Sequence, residues 1–106
     1  MREKILASKP IRRADSTLNR SRVTIPIAPR RGFLFRIPEG ATKTFELDAM
    51  GLFVWTRCDG ETTVEQIVEE FAENFAIDRH RAEASTLEFL NLLAGRALVA
   101  RKVESG

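Results

Sequence analysis

The sequence predicts an α+β domain with three short amino-terminal strands, three helices and a short closing strand. Two changes of pattern carry this. From Arg22 to Asp48 the apolar residues alternate in short β-branched or aromatic runs, and from Asp48 onward they recur at helical spacing. Size is the third observation: 106 residues, 43% hydrophobic and 30% charged, suit one soluble domain with one modest core. Residues 22–104 are therefore expected to form that single domain. Residues 1–21 carry six basic side chains, several Ser, Thr and Asn, and no sustained period, and are expected as a flexible basic arm.

The elements follow in order. Val23-Thr24-Ile25-Pro26-Ile27 alternates and is β-branched, and Pro26, which lacks an amide hydrogen, places it at an edge. Phe33-Leu34-Phe35-Arg36-Ile37 is the second strand, and the Pro38-Glu39-Gly40 turn leads into the third, Lys43-Thr44-Phe45-Glu46-Leu47. In that third strand Phe45 and Leu47 share one face, Thr44 and Glu46 the other. Asp48 is placed to cap a helix over Ala49–Cys58, apolar nearly all round and ended by Asp59-Gly60. Thr63 with Gln66 forms a capping-box pattern, and Val64, Ile67, Val68, Phe71, Ala72 and Phe75 line one face of a second helix. Asp78 opens a third, ending near Ala94 or Arg96, and Ala97-Leu98-Val99-Ala100 reads as the closing strand. Strands followed by three helices and a closing strand describe a winged-helix-like arrangement.

The third helix has more apolar surface than one core contact needs. Leu87, Leu90, Leu93, Ala94 and Ala97 form a core stripe at 100° steps, and Ala82, Ser85, Phe89 and Leu92 extend it through roughly another 100°. Either a neighbouring element covers this second stripe, or the helix packs one side in the core and lines a groove with the other.

A net charge of +2 conceals an asymmetry. Residues 1–46 hold eleven basic and four acidic side chains, a net of +7, and residues 47–106 hold six and eleven, a net of −5. No uninterrupted apolar stretch is longer than Leu52–Trp55, far short of a membrane span, and no apolar run of signal-peptide length follows the charged amino terminus. A cytoplasmic location is the expectation. One Cys and one His are too few for a zinc site, and Cys58 has no partner for an internal disulfide. His80 has no Ser, Cys or carboxylate at a triad spacing, and the glycines never cluster into a phosphate-binding loop. No catalytic constellation and no cofactor site emerge, and the chain reads as a non-enzyme.

Phe45-Glu46-Leu47-Asp48, followed by Gly51, Trp55 and Cys58-Asp59-Gly60, resembles the PqqD family, small proteins of pyrroloquinoline quinone biosynthesis. Thr63-Val64 with Ile67-Val68, then Phe75 and Leu87 with Phe89-Leu90, continue the likeness to Leu98-Val99, over about residues 23–100. The resemblance implies a recognition element for ribosomally synthesised, post-translationally modified peptides (RiPPs). Such a peptide chaperone holds the leader of a precursor peptide for a modifying enzyme, often a radical S-adenosylmethionine (radical SAM) enzyme. It implies that the leader adds as a strand beside the third β-strand and lies against the third helix. Carried over by position, the peptide-binding residues are Lys43, Thr44, Phe45, Glu46 and Leu47 on the strand, and Ala82, Ser85, Phe89 and Leu92 on the helix. One departure concerns Ala97, which stands where the family usually has Gly before the closing Leu-Val.

Two other functions compete. A winged-helix DNA-binding protein would use the +7 half, with Arg12-Arg13 and Arg30-Arg31 meeting phosphates. The four glutamates of the second helix and the nearly neutral third argue against it, because a recognition helix brings positive charge into the groove. A homodimer joined through open strand edges is the other.

Overall fold

The computed structural model describes residues 2–27 and 40–102. Within them the order is α1 (Arg2–Ala7), β1 (Lys9–Arg12), β2 (Thr17–Asn19), β3 (Arg22–Pro26), β4 (Thr42–Glu46), α2 (Ala49–Thr56), α3 (Val64–Phe75), α4 (Arg79–Gly95) and β5 (Val99–Lys102). This is a mixed α+β architecture of antiparallel strands, three main helices and a closing strand. The strand expected at 33–37 and the Arg30-Arg31 pair lie outside the described residues.

Residues 2–19 correct the expectation of an arm without regular structure. They build α1, β1 and β2, and β1 pairs antiparallel with β5, Lys9 opposite Lys102 and Arg12 opposite Val99. Backbone bonds beyond the β1–β5 ladder stitch this segment to the helical half. Arg12 N–H donates to the Cys58 carbonyl at 2.8 Å, Gly60 N–H to Pro10 at 2.9 Å, and Val64 N–H to Ser8 at 2.9 Å. The last satisfies an amide that the first turn of α3 otherwise leaves orphaned. Such pairing comes from partners far along the chain, so no local period announces it.

The second sheet runs β2-β3-β4, all antiparallel, so β3 is central rather than at an edge. Pro26 is tolerated there for a geometric reason. Ile27 N–H donates to the Ala41 carbonyl at 2.9 Å and Leu47 N–H to Ser21 at 2.8 Å. With Val23 opposite Phe45 and Ile25 opposite Lys43, the odd-numbered residues of both strands bond to each other. Pro26 therefore points its missing amide toward the β2 side, where β2 has already ended, and its carbonyl accepts a 3.5 Å bond from Arg13 Nη2.

The helices start as their caps dictate. Asp48 accepts from Gly51 N–H at 2.7 Å, Asp78 from Arg81 N–H at 2.8 Å, and Thr63 and Gln66 close the capping box in both directions. The core gathers Val23 and Ile25 of β3, Val54 and Trp55 of α2, Val64, Ile67, Val68 and Phe71 of α3, Leu90 and Leu93 of α4, and Leu98. An aromatic group, with Phe53 edge-on to Phe71 and Phe75 and centroids 4.6–5.8 Å apart, joins α2 to α3.

On α4 the phase differs from expectation. Ala82, Thr86, Leu90 and Leu93 are the buried residues, while Ala94 is exposed and Ala97 lies beyond the helix. The core face is rotated toward Ala82, with α2 and α3 both packed against α4, and it takes in the buried Thr86. Ala97 has φ +59°, with Ala97 N–H bonding Ala94 at 3.0 Å and Leu98 N–H bonding Leu93 at 2.9 Å. This is a Schellman ending, with buried Leu98 and Leu93 as its apolar pair, and Ala97 holds the position that favours glycine. The closing strand consequently begins at Val99, two residues later than expected.

Candidate peptide-binding edge and helix face

The candidate site is built on β4. Its odd-numbered residues spend their backbone groups on β3, so Thr42, Thr44 and Glu46 turn their N–H and C=O groups away from the sheet. Among the described residues no strand pairs with that side of β4. The side chains divide the other way. Lys43, Phe45 and the following Leu47 share the face of buried Val23 and Ile25, whereas Thr44 joins Thr24 through a 2.9 Å hydroxyl contact on the opposite face. Leu47 is only 4% exposed and anchors the strand in the core.

Phe45 is half-buried against the core and carries two cations. Lys43 Nζ lies 5.1 Å and Arg96 Cζ 5.3 Å from its ring centroid, within cation–π range. Arg96 comes from the carboxy-terminal end of α4, so this contact joins the strand edge to the helix. In the sequence Arg96 stands out only as a candidate end of the third helix. The available signal was its spacing, four residues after Leu92 and seven after Phe89, which places the three on one helix face.

The four expected helix residues fare differently. Ala82 is fully buried and belongs to the core, not to an open wall. Ser85 and Phe89 are partly buried, and Leu92 is exposed at 44%. Phe89 is wedged between α2 and α3. Its ring centroid is 6.5 Å from that of Phe71, and a Cβ added at Gly51 would sit 3.5 Å from the Phe89 ring and 3.2 Å from Asp48 Oδ1. Gly51, the lone glycine of α2, thus lies against the Phe89 ring of α4.

The acidic faces lie elsewhere and are largely matched. Arg79 reaches Glu65 and Glu69 at 3.2 Å each, and Arg57 lies 3.8 Å from Glu70 while stacking 3.3 Å over Phe53. Burial pushes the Cys58 thiol up to about 12, so it stays protonated and behaves as a small hydrophobe. Bonds from the Thr62 and Glu61 amides hold the Asp59 carboxyl below its ordinary value and fix the turn between α2 and α3. Among the described residues no three His, Cys, Asp or Glu side chains converge as a metal ligand set, and no helix is long and apolar enough to cross a membrane.

No curated protein and no solved structure matches the chain. A family model does: Coenzyme PQQ synthesis protein D (PqqD), over residues 33–99, which take in β4, α2, α3, α4 and the first residue of β5. By that match across most of its length, the chain belongs to the PqqD family.

Proposed function

We propose that this chain is a peptide-recognition element. It holds the leader of a ribosomally made precursor peptide as an added strand on β4, against α4, and presents it to a modifying enzyme of the radical SAM class. The observation that carries the reading is the outward row of N–H and C=O groups on Thr42, Thr44 and Glu46, beside a helix face that exposes Leu92. Strand addition takes its affinity from such backbone groups and its register from alternate side chains. Family membership supports a role in peptide-based biosynthesis, with the chain acting as an accessory rather than a catalyst. The recognition residues are Lys43, Thr44, Phe45 and Glu46 on the strand, and Ser85, Phe89, Leu92 and Arg96 on the helix.

DNA binding fits the surfaces less well, because the helix that would enter a groove begins with Arg79 already paired to two glutamates. The test is amide hydrogen exchange with and without a peptide that the chain binds in solution. Slowed exchange at Thr44 and Glu46, with little change at the β3-bonded amide of Phe45, is the expected result. Tight binding without protection at those two amides would refute strand addition.

A further inference from the structure

The cations of the described surface are not equally matched. Arg13 pairs with Asp15 at 2.5 Å, Arg57 with Glu70, and Arg79 with Glu65 and Glu69. Lys43 and Arg96 have no carboxylate partner among the described residues, and both are held over one ring, that of Phe45. The described carboxylates nearest to Lys43 in sequence are committed elsewhere. Glu46 projects from the opposite face of the sheet, across from Arg22, and Asp48 is occupied as the α2 cap. Two positive charges thus flank a half-buried aromatic at the strand edge, with no carboxylate among the described residues paired to either.

Resting on the peptide-binding reading above, we infer that the recognised peptide carries an aspartate or glutamate that seats over Phe45 between Lys43 and Arg96. A strand added to β4 sends alternate side chains to the helix side, level with Lys43 and Phe45. An acidic side chain there lays its methylene against the ring and its carboxylate between the two cations, where the bonds are charge-assisted. Exposed Leu92, one turn before Arg96, offers an apolar contact on the same side. Side chains of a strand share a face every second residue, so the peptide pattern is an acid and an apolar residue two positions apart.

The experiment is a display selection from random 12-residue peptides, with the full chain as bait and Lys43→Gln/Arg96→Gln in parallel. The wild type is expected to enrich an Asp or Glu two positions from an apolar residue, and the double variant to keep the apolar preference and lose the acid. In fluorescence anisotropy, changing that acid to its amide in an enriched peptide should weaken wild-type binding about three- to twentyfold, the range for two partly exposed ion pairs. The same change should leave binding to the double variant unaltered. Enrichment without an acidic preference would overturn the inference and leave peptide binding standing. No enrichment over an unrelated bait would overturn the peptide-binding reading itself.

Discussion

Replacing Thr44 by proline removes one amide hydrogen from the open side of β4 and none from the ladder to β3. The alternation fixed by the Leu47–Ser21 and Ile27–Ala41 bonds makes this separation possible. Proline suits the extended backbone of an edge strand when its nitrogen faces outward. The cost to the fold is the exposed Thr24–Thr44 hydroxyl contact, about 0.5–1 kcal/mol. The cost to binding is larger, because a peptide carbonyl at the edge loses its donor. A lost backbone bond with a half-desolvated orphan acceptor is worth about 1–2 kcal/mol, or about five- to thirtyfold in Kd. Lys43→Pro is the matched control. Its amide belongs to the pair with Ile25, so proline there orphans a carbonyl inside the sheet and destabilises the fold by about 2 kcal/mol or more. Anisotropy with a peptide enriched by the wild type, alongside thermal melts, reads both quantities. If Thr44→Pro binds that peptide as tightly as wild type, the added strand does not lie on β4.

Leu92→Glu puts a charge on an exposed apolar contact and should weaken peptide binding about tenfold with an unchanged melting temperature, whereas Phe89→Glu, wedged beside Gly51 and Phe71, should lower the melting temperature itself. Ala97→Gly relieves a left-handed alanine at the end of α4 and should stabilise the fold by about 0.5–1 kcal/mol, a rise of about 2–8 °C in a melt. Cys58, with its thiol pushed up to about 12, should resist iodoacetamide at pH 8 until denaturant is added. Asp59 has a lowered folded value, so its contribution is present above the unfolded carboxylate value and is lost as pH falls through the folded one; wild type should lose more melting temperature below pH 4 than Asp59→Ala does.

The helices were legible because their signals are local. Asp48, Thr63 with Gln66, and Asp78 each announce a start within three residues, and all three caps form where the spacing puts them. The phase of α4 was not, since which stripe turns inward depends on how α2 and α3 approach it. The Phe89 ring against Gly51 of α2 is one such tertiary contact, and it is not local to α4. The strands divide in the same way. β3 and β4 show their own alternation, whereas β1 is held by β5, some ninety residues away, and by the turn at Cys58–Gly60, and its sequence Lys-Pro-Ile-Arg has no period to read. Of the site, the strand residues were legible as a pattern. The contact of Arg96 with Phe45 was not, because it joins two elements whose relative placement is tertiary.

The charge asymmetry and the open edge are parts of one arrangement. β4 has two sides, and β3, drawn from residues that precede the 33–99 family match, occupies one of them along its whole length. Among the described residues that leaves one side of β4 from which a strand can join. β3 also fixes which face of β4 turns toward the helices, and so brings Lys43 and Phe45 to the same side as Arg96. The basic half of the chain therefore contributes more than net charge. It supplies the strand that orients β4 and one of the two cations at its edge, while the acidic half supplies the helix that carries the other. Electrostatic steering of an acidic peptide toward this edge would raise its association rate, and the backbone ladder on Thr42, Thr44 and Glu46 would set how long it stays.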